Sequence, residues 1–151
     1  MLLKDRIREE LEVIRQTNGG LLRQEDVVAF ARSADTALHS QFTWDDGEAA
    51  EQFRLIQAAK VIRLQIHVIE EEETKVRAFV SLSVDRTKNG GYRPITEVMQ
   101  RHDLQAVMLK DALAELNAIR RKYRALQSLS GVWEAVDRIA PPESAEVQQA
   151  V

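Results

Sequence analysis

The amino-acid sequence predicts a mainly helical α+β domain, and three observations support this class. Apolar residues recur every three or four positions along most of the chain, a spacing typical of amphipathic helices. Between residues 64 and 84 the period changes to two, which indicates strands. Helical patterns lie before and after the strands and do not alternate with them, which favours α+β over α/β.

Three helices are predicted before the strands. The first covers residues 2–16 and ends at a glycine pair, because glycine readily adopts the left-handed conformation that closes a helix. The second covers residues 24–32 and the third residues 46–63, and acidic residues at the start of each favour a helix N-terminus. The connecting residues 33–44 are too apolar for a free linker, so we expect them to pack under the helices.

A small antiparallel sheet of two or three strands is predicted next. Residues 64–68 and 76–84 alternate apolar and polar side chains, and a run of glutamates joins them. A glycine turn precedes a third short strand over residues 92–95, and the proline of that strand restricts it to a sheet edge. The alternation therefore predicts one small sheet between two helical segments.

A long C-terminal helix follows over residues 104–128, and a last short helix is predicted around residues 132–139. The long helix has one apolar face, formed by Leu109, Leu113, Leu116, Ile119, Tyr123 and Leu126. At 1.5 Å per residue the helix is about 37 Å long, so we expect part of this face to meet a partner chain. The chain divides into a helix and connector over residues 1–20, a single α+β domain over 21–140 and a flexible tail over 141–151.

Composition and charge exclude several classes of protein. The chain has 21 Lys and Arg residues against 24 Asp and Glu residues, so its net charge of −3 does not indicate a polycationic nucleic-acid binder. The absence of cysteine excludes disulfides, thiolate catalysis and cysteine-containing zinc sites, and it fits a reducing compartment. No apolar run reaches the length of a membrane span, and the first residues lack the pattern of a signal peptide. We therefore expect a cytoplasmic protein that does not enter a membrane.

Four parts of the sequence carry a resemblance to known proteins. They are residues 37–46 (ALHSQFTWDD) with Ala49-Ala50 and Arg54-Leu55, residues 77–82 (RAFVSL), residues 91–94 (GYRP), and residues 111–116 (DALAEL) with Arg121-Lys122-Tyr123. Together they resemble a family of small, uncharacterised proteins encoded by tailed bacteriophages and prophages, over about residues 22–139. The resemblance implies a phage or prophage setting in a bacterial host cell, and it implies no activity.

Charge is distributed unevenly, and the second half of the chain is basic. Residues 1–75 hold 10 basic and 15 acidic side chains, whereas residues 76–138 hold 11 and 7. Candidate DNA contacts lie beside the glycine turn and at the end of the long helix; they are Arg86, Lys88, Arg93, Arg120, Arg121, Lys122 and Arg124. A glycine hairpin with basic flanks is similar to the wing of winged-helix proteins, whose Lys and Arg side chains contact phosphates. We therefore expect a non-enzymatic, DNA-associated protein, regulatory or architectural, that needs no cofactor.

Two other classes of function remain open. Cations at a helix C-terminus are expected from the helix dipole alone, so the basic helix end also fits a protein-interaction or assembly module, as a host-directed adaptor or a virion component. A homo-oligomer is expected for the DNA-associated protein as well as for such a module, with an interface predicted at Leu3, Ile7, Leu11, Tyr123, Leu126 and Trp133. A metal-dependent hydrolase would use His39, Asp45 and Asp46. The two aspartates are better explained as the cap and first-turn acid of a helix, so no metal site is predicted.

Overall fold

Helices precede and follow a cluster of short strands in the computed structural model of the chain. The structure describes residues 2–44, 47–69, 73–87 and 90–139, with only the backbone of residues 48 and 49. The α-helices in these ranges are α1 (Leu3–Thr17), α2 (Gln24–Ala31), α3 (Glu48–Leu64), α4 (Ser83–Arg86), α5 (Ile95–Gln100), α6 (His102–Lys122) and α7 (Ser130–Asp137). The strands are β1 (Ile66–Ile69), β2 (Thr74–Arg77), β3 (Phe79–Val80) and β4 (Arg93–Pro94), and the 3-10 helices are Leu38–Gln41 and Gln127–Leu129. This order confirms the predicted mainly helical α+β class.

The main core joins α1, α2 and α3 to the start of the strand region. Ile7, Leu11 and Ile14 of α1 are buried, as their spacing predicts, and they pack in one cluster with side chains of α2 and α3. The predicted boundary after residue 20 does not separate two packing units, because α1 contributes to this common core. The two glycines after α1 have φ angles of 69° and 86°, the left-handed conformation expected at the end of this helix.

The segment between α2 and α3 packs under the helices, as predicted. Leu38 is fully buried, and the Glu10 carboxylate accepts hydrogen bonds from the backbone N–H groups of Ala37 and Leu38 at 2.7 and 2.8 Å. The Trp44 ring stacks on His39, with 4.9 Å between the ring centroids. These contacts tie the segment to α1 and fix the direction in which the chain approaches α3.

The strands form two separate antiparallel sheets, whereas the alternating pattern predicted one. β1 pairs with β2, and β3 pairs with β4. Pro94 lies in an edge strand, as its missing N–H requires. The glycine turn before β4 does not form the wing that its basic flanks suggested, because α4 lies between β3 and β4.

The predicted second strand, residues 76–84, is divided in the structure. Ala78 separates β2 from β3, because its N–H donates to the Gln65 carbonyl and its own carbonyl accepts from the Ile95 N–H. Val84 lies in α4 rather than in a strand. The alternation of apolar residues continues through Ala78, so the pattern alone does not reveal the break.

The C-terminal helices form a hairpin in which α7 folds back onto α6. α6 ends at Lys122, six residues earlier than predicted, and α7 corresponds to the predicted last helix. A second small core holds the first half of α6 against α4 and α5; it contains Leu82, Val98, Leu104 and Val107. The predicted tail, residues 141–151, lies outside the described residues. Among the described helices, none has both the length and the apolar character needed to cross a membrane.

Candidate nucleic-acid interface

Three arginines from three different elements line one open cavity of about 450 Å³. Arg63 lies in the last turn of α3, Arg77 ends β2 and Arg86 ends α4. Phe79 and Tyr92 line the same cavity. We call this cavity the arginine groove.

The charges of the arginine groove are only partly neutralised within the chain. Arg63 and Arg77 make no hydrogen bond or ion pair with any described residue. The Arg86 side chain is 55% exposed, and its guanidinium contacts the Ser81 carbonyl and the Asp111 carboxylate at 3.4 Å each. The groove therefore offers guanidinium donors that an external anion can use.

Two acidic side chains of α6 also line the arginine groove. The Asp111 carboxylate accepts the Ser83 N–H at 2.8 Å, so it holds the start of α4 as well as contacting Arg86. Glu115 is exposed and has no partner among the described residues. With three arginines against two carboxylates, the groove keeps a net positive charge near neutral pH.

Arg93, a predicted DNA contact, is instead engaged inside the fold. Its Nε and Nη2 atoms donate to the two carboxylate oxygens of Asp85, both at 2.8 Å, and its Nη1 donates to Glu97 at 3.3 Å. The hydrogen bonds to Asp85 raise the pKa of Arg93, although partial burial opposes the shift. Arg93 is therefore not available to a phosphate. Lys88, predicted beside it, lies outside the described residues.

Of the four basic residues at the end of α6, one is paired within the fold and three are exposed. Arg120 donates to both carboxylate oxygens of Asp137 at 2.8 and 3.3 Å and lies over the Trp133 ring, so it attaches α7 to α6. Its hydrogen bond to Asp137 raises the pKa of Arg120. The exposed cations are Arg121, Lys122 and Arg124. They form no ion pair with a described residue, so they remain candidates for contact with an anion.

Of the six residues predicted to form an oligomer interface, some are buried in the structure and others are exposed. Ile7 and Leu11 are buried in the main core, and Trp133 is buried against α6 under Arg120, so these three side chains cannot contact a partner chain. Leu3, Tyr123 and Leu126 are exposed, at 51%, 43% and 53%. The last two lie at the end of α6 and just beyond it.

His39 contacts two neighbouring parts of the fold. Its Nδ1 atom lies 2.9 Å from the Ala31 carbonyl, and its ring stacks on Trp44. Asp45 and Asp46, the other two residues of the hydrolase alternative, lie outside the described residues. Across the described ranges, no group of three or more His, Asp or Glu side chains is placed to hold a metal ion.

Sequence reasoning identified Arg86 but missed Arg63 and Arg77. These two residues are separated by a whole hairpin in sequence, and the hairpin brings them together because Ile66 pairs with Arg77. The predicted hairpin could have indicated that Arg63 and Arg77 lie close together, since the two ends of an antiparallel hairpin always meet. It required the register of β1 and β2, which a pattern of alternating residues does not fix.

Comparisons of the chain with protein-family models, with curated proteins and with solved structures find no match.

Proposed function

We propose that this chain is a non-enzymatic, DNA-associated protein of bacteriophage or prophage type that acts in the cytoplasm of the bacterial host. The DNA backbone would lie in the arginine groove, with a further contact at Arg121, Lys122 and Arg124. The observation that carries this proposal is the convergence of Arg63, Arg77 and Arg86 from three elements on one cavity. Guanidinium groups bind phosphate oxygens through two parallel hydrogen bonds, which a cluster of arginines on an open surface favours.

A phosphate backbone fits the groove better than a small buried ligand does. The groove is open to solvent, and two of its arginines have no anion among the described residues. Contacts of this kind release counterions, so the affinity falls steeply with salt. With three phosphate contacts, we expect the affinity for duplex DNA to fall about 40-fold between about 50 and 200 mM salt.

Fluorescence anisotropy of a labelled duplex tests the proposal. The variant Arg63→Gln/Arg77→Gln removes two groove charges, and Lys4→Gln/Arg6→Gln removes two exposed charges from α1 as the matched control. We expect the groove variant to bind at least ~10-fold more weakly, since each lost charged contact costs about 1 kcal/mol or more, while the control stays within about twofold of the wild type. An equal loss of DNA affinity in both variants would mean that the net charge of the protein alone governs DNA binding. No binding at about 50 mM salt would refute the proposal.

A protein-interaction module is the second candidate, and a specific surface favours it. Phe53, Ile56 and Leu64 on α3 are 52%, 62% and 66% exposed, and Ile66 and Val68 on β1 are 48% and 43% exposed. Several large apolar side chains exposed along one helix and the strand that follows it are typical of surfaces that bind other proteins. A virion component or host-directed adaptor would use such a surface and would give a flat anisotropy titration with DNA at every salt concentration.

A further inference from the structure

The arginine groove is lined by apolar side chains as well as by charged ones. Val80, Tyr92 and Met108 are half-buried and Ala112 is exposed, so each leaves some apolar surface uncovered where it lines the groove. Residues of both cores contribute to this lining, so the groove lies where the main core meets the second core. A phosphate group uses only the arginines, and the apolar lining therefore favours a ligand that is partly uncharged.

The Tyr92 ring is held in place before any ligand binds. The Tyr92 N–H donates to the Leu22 carbonyl at 2.9 Å, and the Tyr92 carbonyl accepts from the Leu22 N–H at 3.0 Å. The ring packs against the main core, and its hydroxyl forms no hydrogen bond with a described residue. A fixed aromatic ring beside cationic side chains is the arrangement on which unpaired bases stack in proteins that bind single-stranded nucleic acid.

Positive and negative charges in the groove come from different elements. The arginines belong to α3, β2 and α4, whereas the described residues of α6 that line the groove are Met108, Asp111, Ala112 and Glu115. The two carboxylates would repel a phosphate, but an uncharged base beside α6 would not meet this repulsion. The charges therefore favour a ligand that has phosphates for the arginines and an uncharged part for the α6 side chains.

The size of the groove also fits this ligand. A volume of about 450 Å³ is within the range of sites that hold small molecules, and one nucleotide is a molecule of this size. The bases of a duplex are stacked inside the double helix, so a duplex offers only its phosphates to the arginines. An unpaired nucleotide offers its phosphate and its base together.

We propose that the arginine groove holds one unpaired nucleotide of single-stranded DNA. Arg63, Arg77 and Arg86 contact the phosphates of this nucleotide and its neighbours, and the base lies against Tyr92 and the apolar lining. The inference rests on the proposed function, because it names the form of DNA that the same groove prefers. Duplex DNA binds through its phosphates alone and therefore binds more weakly.

Fluorescence anisotropy with three ligands of equal length tests the role of the base. They are a labelled single strand of about 12 nucleotides, its duplex, and a strand of the same length made of abasic residues. The abasic strand is the matched control, since it has the same phosphates and no bases. At one salt concentration the single strand should bind at least ~5-fold more tightly than either other ligand, because stacking of one base contributes about 1–3 kcal/mol. Equal affinities for the single strand and the abasic strand would overturn the proposal, and this comparison needs no protein variant.

Tyr92→Leu tests the aromatic ring itself. Leucine keeps an apolar side chain against the core, so the variant should lose at least ~5-fold in affinity for the single strand and stay within about twofold for the duplex. Tyr123→Leu is the control, because Tyr123 is 43% exposed and lies outside the groove, and it should bind the single strand as the wild type does. An equal loss for single strand and duplex in Tyr92→Leu would show that the ring only supports the fold, which would refute its contact with a base.

The same titrations separate this inference from the proposed function. A protein that binds duplex through Arg63 and Arg77 but binds the single strand and the abasic strand equally would refute the unpaired nucleotide alone. A protein that binds none of the three ligands would refute both proposals. Complete displacement of the labelled strand by about 0.1 mM of a free deoxynucleoside monophosphate would mean that the groove binds nucleotides by themselves, and it would also overturn the assignment to single-stranded DNA.

Discussion

The guanidinium of Arg93 and the carboxylate of Asp85 form a two-point ion pair, with both N–O distances at 2.8 Å. The Asp85 side chain is 4% exposed and that of Arg93 is 17% exposed, so the pair is almost entirely removed from solvent. It joins α4 to β4 across the glycine turn. An arginine that looked like a phosphate contact in the sequence is thus a structural link of the second half of the domain.

Removal of the Arg93 charge should destabilise the fold. Arg93→Gln leaves the Asp85 carboxylate buried without its partner, and breaking a pair of this kind costs about 3 kcal/mol or more. Urea unfolding at neutral pH measures the loss. Arg86→Gln is the control, because Arg86 is 55% exposed and its loss should cost less than about 1 kcal/mol. Similar unfolding midpoints for the two variants would show that the Asp85 pair contributes little to stability.

Most of the fold follows from local patterns in the sequence. The stripe of α1 and the helical spacing of α3 correspond to observed helices because each has enough apolar residues on one face to be buried. The break at Ala78 and the end of α6 at Lys122 do not follow from local patterns. The break at Ala78 is set by hydrogen bonds to Gln65 and Ile95. The end of α6 coincides with the return of α7 onto α6. Both features therefore depend on contacts between residues that are distant in sequence.

The candidate site was less predictable than the fold. A sequence shows where the cations are, but it does not show which carboxylate each one meets. Arg93 pairs with Asp85, and Arg120 pairs with Asp137, which is seventeen residues further along the chain. Because both arginines are paired within the fold, neither belongs to the candidate DNA-binding surface. Arg63 and Arg77 join Arg86 only because the β1–β2 hairpin closes.

Loss of the Arg120 side-chain charge should release α7 from α6. The pair of Arg120 with Asp137 and the position of Arg120 over Trp133 are the main polar contacts between the two helices. Arg120→Gln should therefore expose Trp133, shift tryptophan emission to longer wavelength and speed amide exchange in residues 130–137. Arg121→Gln, which removes a neighbouring charge without an ion-pair partner among the described residues, should change neither property. An unchanged emission spectrum in Arg120→Gln would mean that Trp133 is held by other contacts.

Acid should weaken a stabilising ion pair within α1, between Glu12 and Arg15. The hydrogen bond from the Arg15 guanidinium holds the pKa of Glu12 below its ordinary value, against the opposite effect of partial burial. Because the folded-state pKa is lowered, this stabilisation is present above the ordinary glutamate pKa of about 4.3 and is lost as the pH falls through the folded-state value. In Arg15→Gln the free energy of unfolding should therefore fall less between about pH 5 and pH 3 than in the wild type. Arg8→Gln on the same helix is the control and should keep the wild-type pH dependence.

The salt dependence of DNA binding should show which arginines contact phosphates. Each phosphate contact contributes about −0.9 to the slope of log affinity against log salt concentration. Arg63→Gln and Arg77→Gln should each make the slope less negative by about that amount, and the double variant by about twice as much. Arg93→Gln, examined where it is still folded, should leave the slope unchanged because its charge is already neutralised by Asp85.

The same salt titration measures the contribution of the cations at the end of α6 to DNA binding. Arg121→Gln/Arg124→Gln removes two exposed cations of the α6 end, and a reduction of about 1.8 in the slope would mean that both contact the backbone together with the arginine groove. A slope that changes with these two residues but not with Arg63 or Arg77 would contradict the groove as the DNA site. The phosphate contacts would then lie at the end of α6.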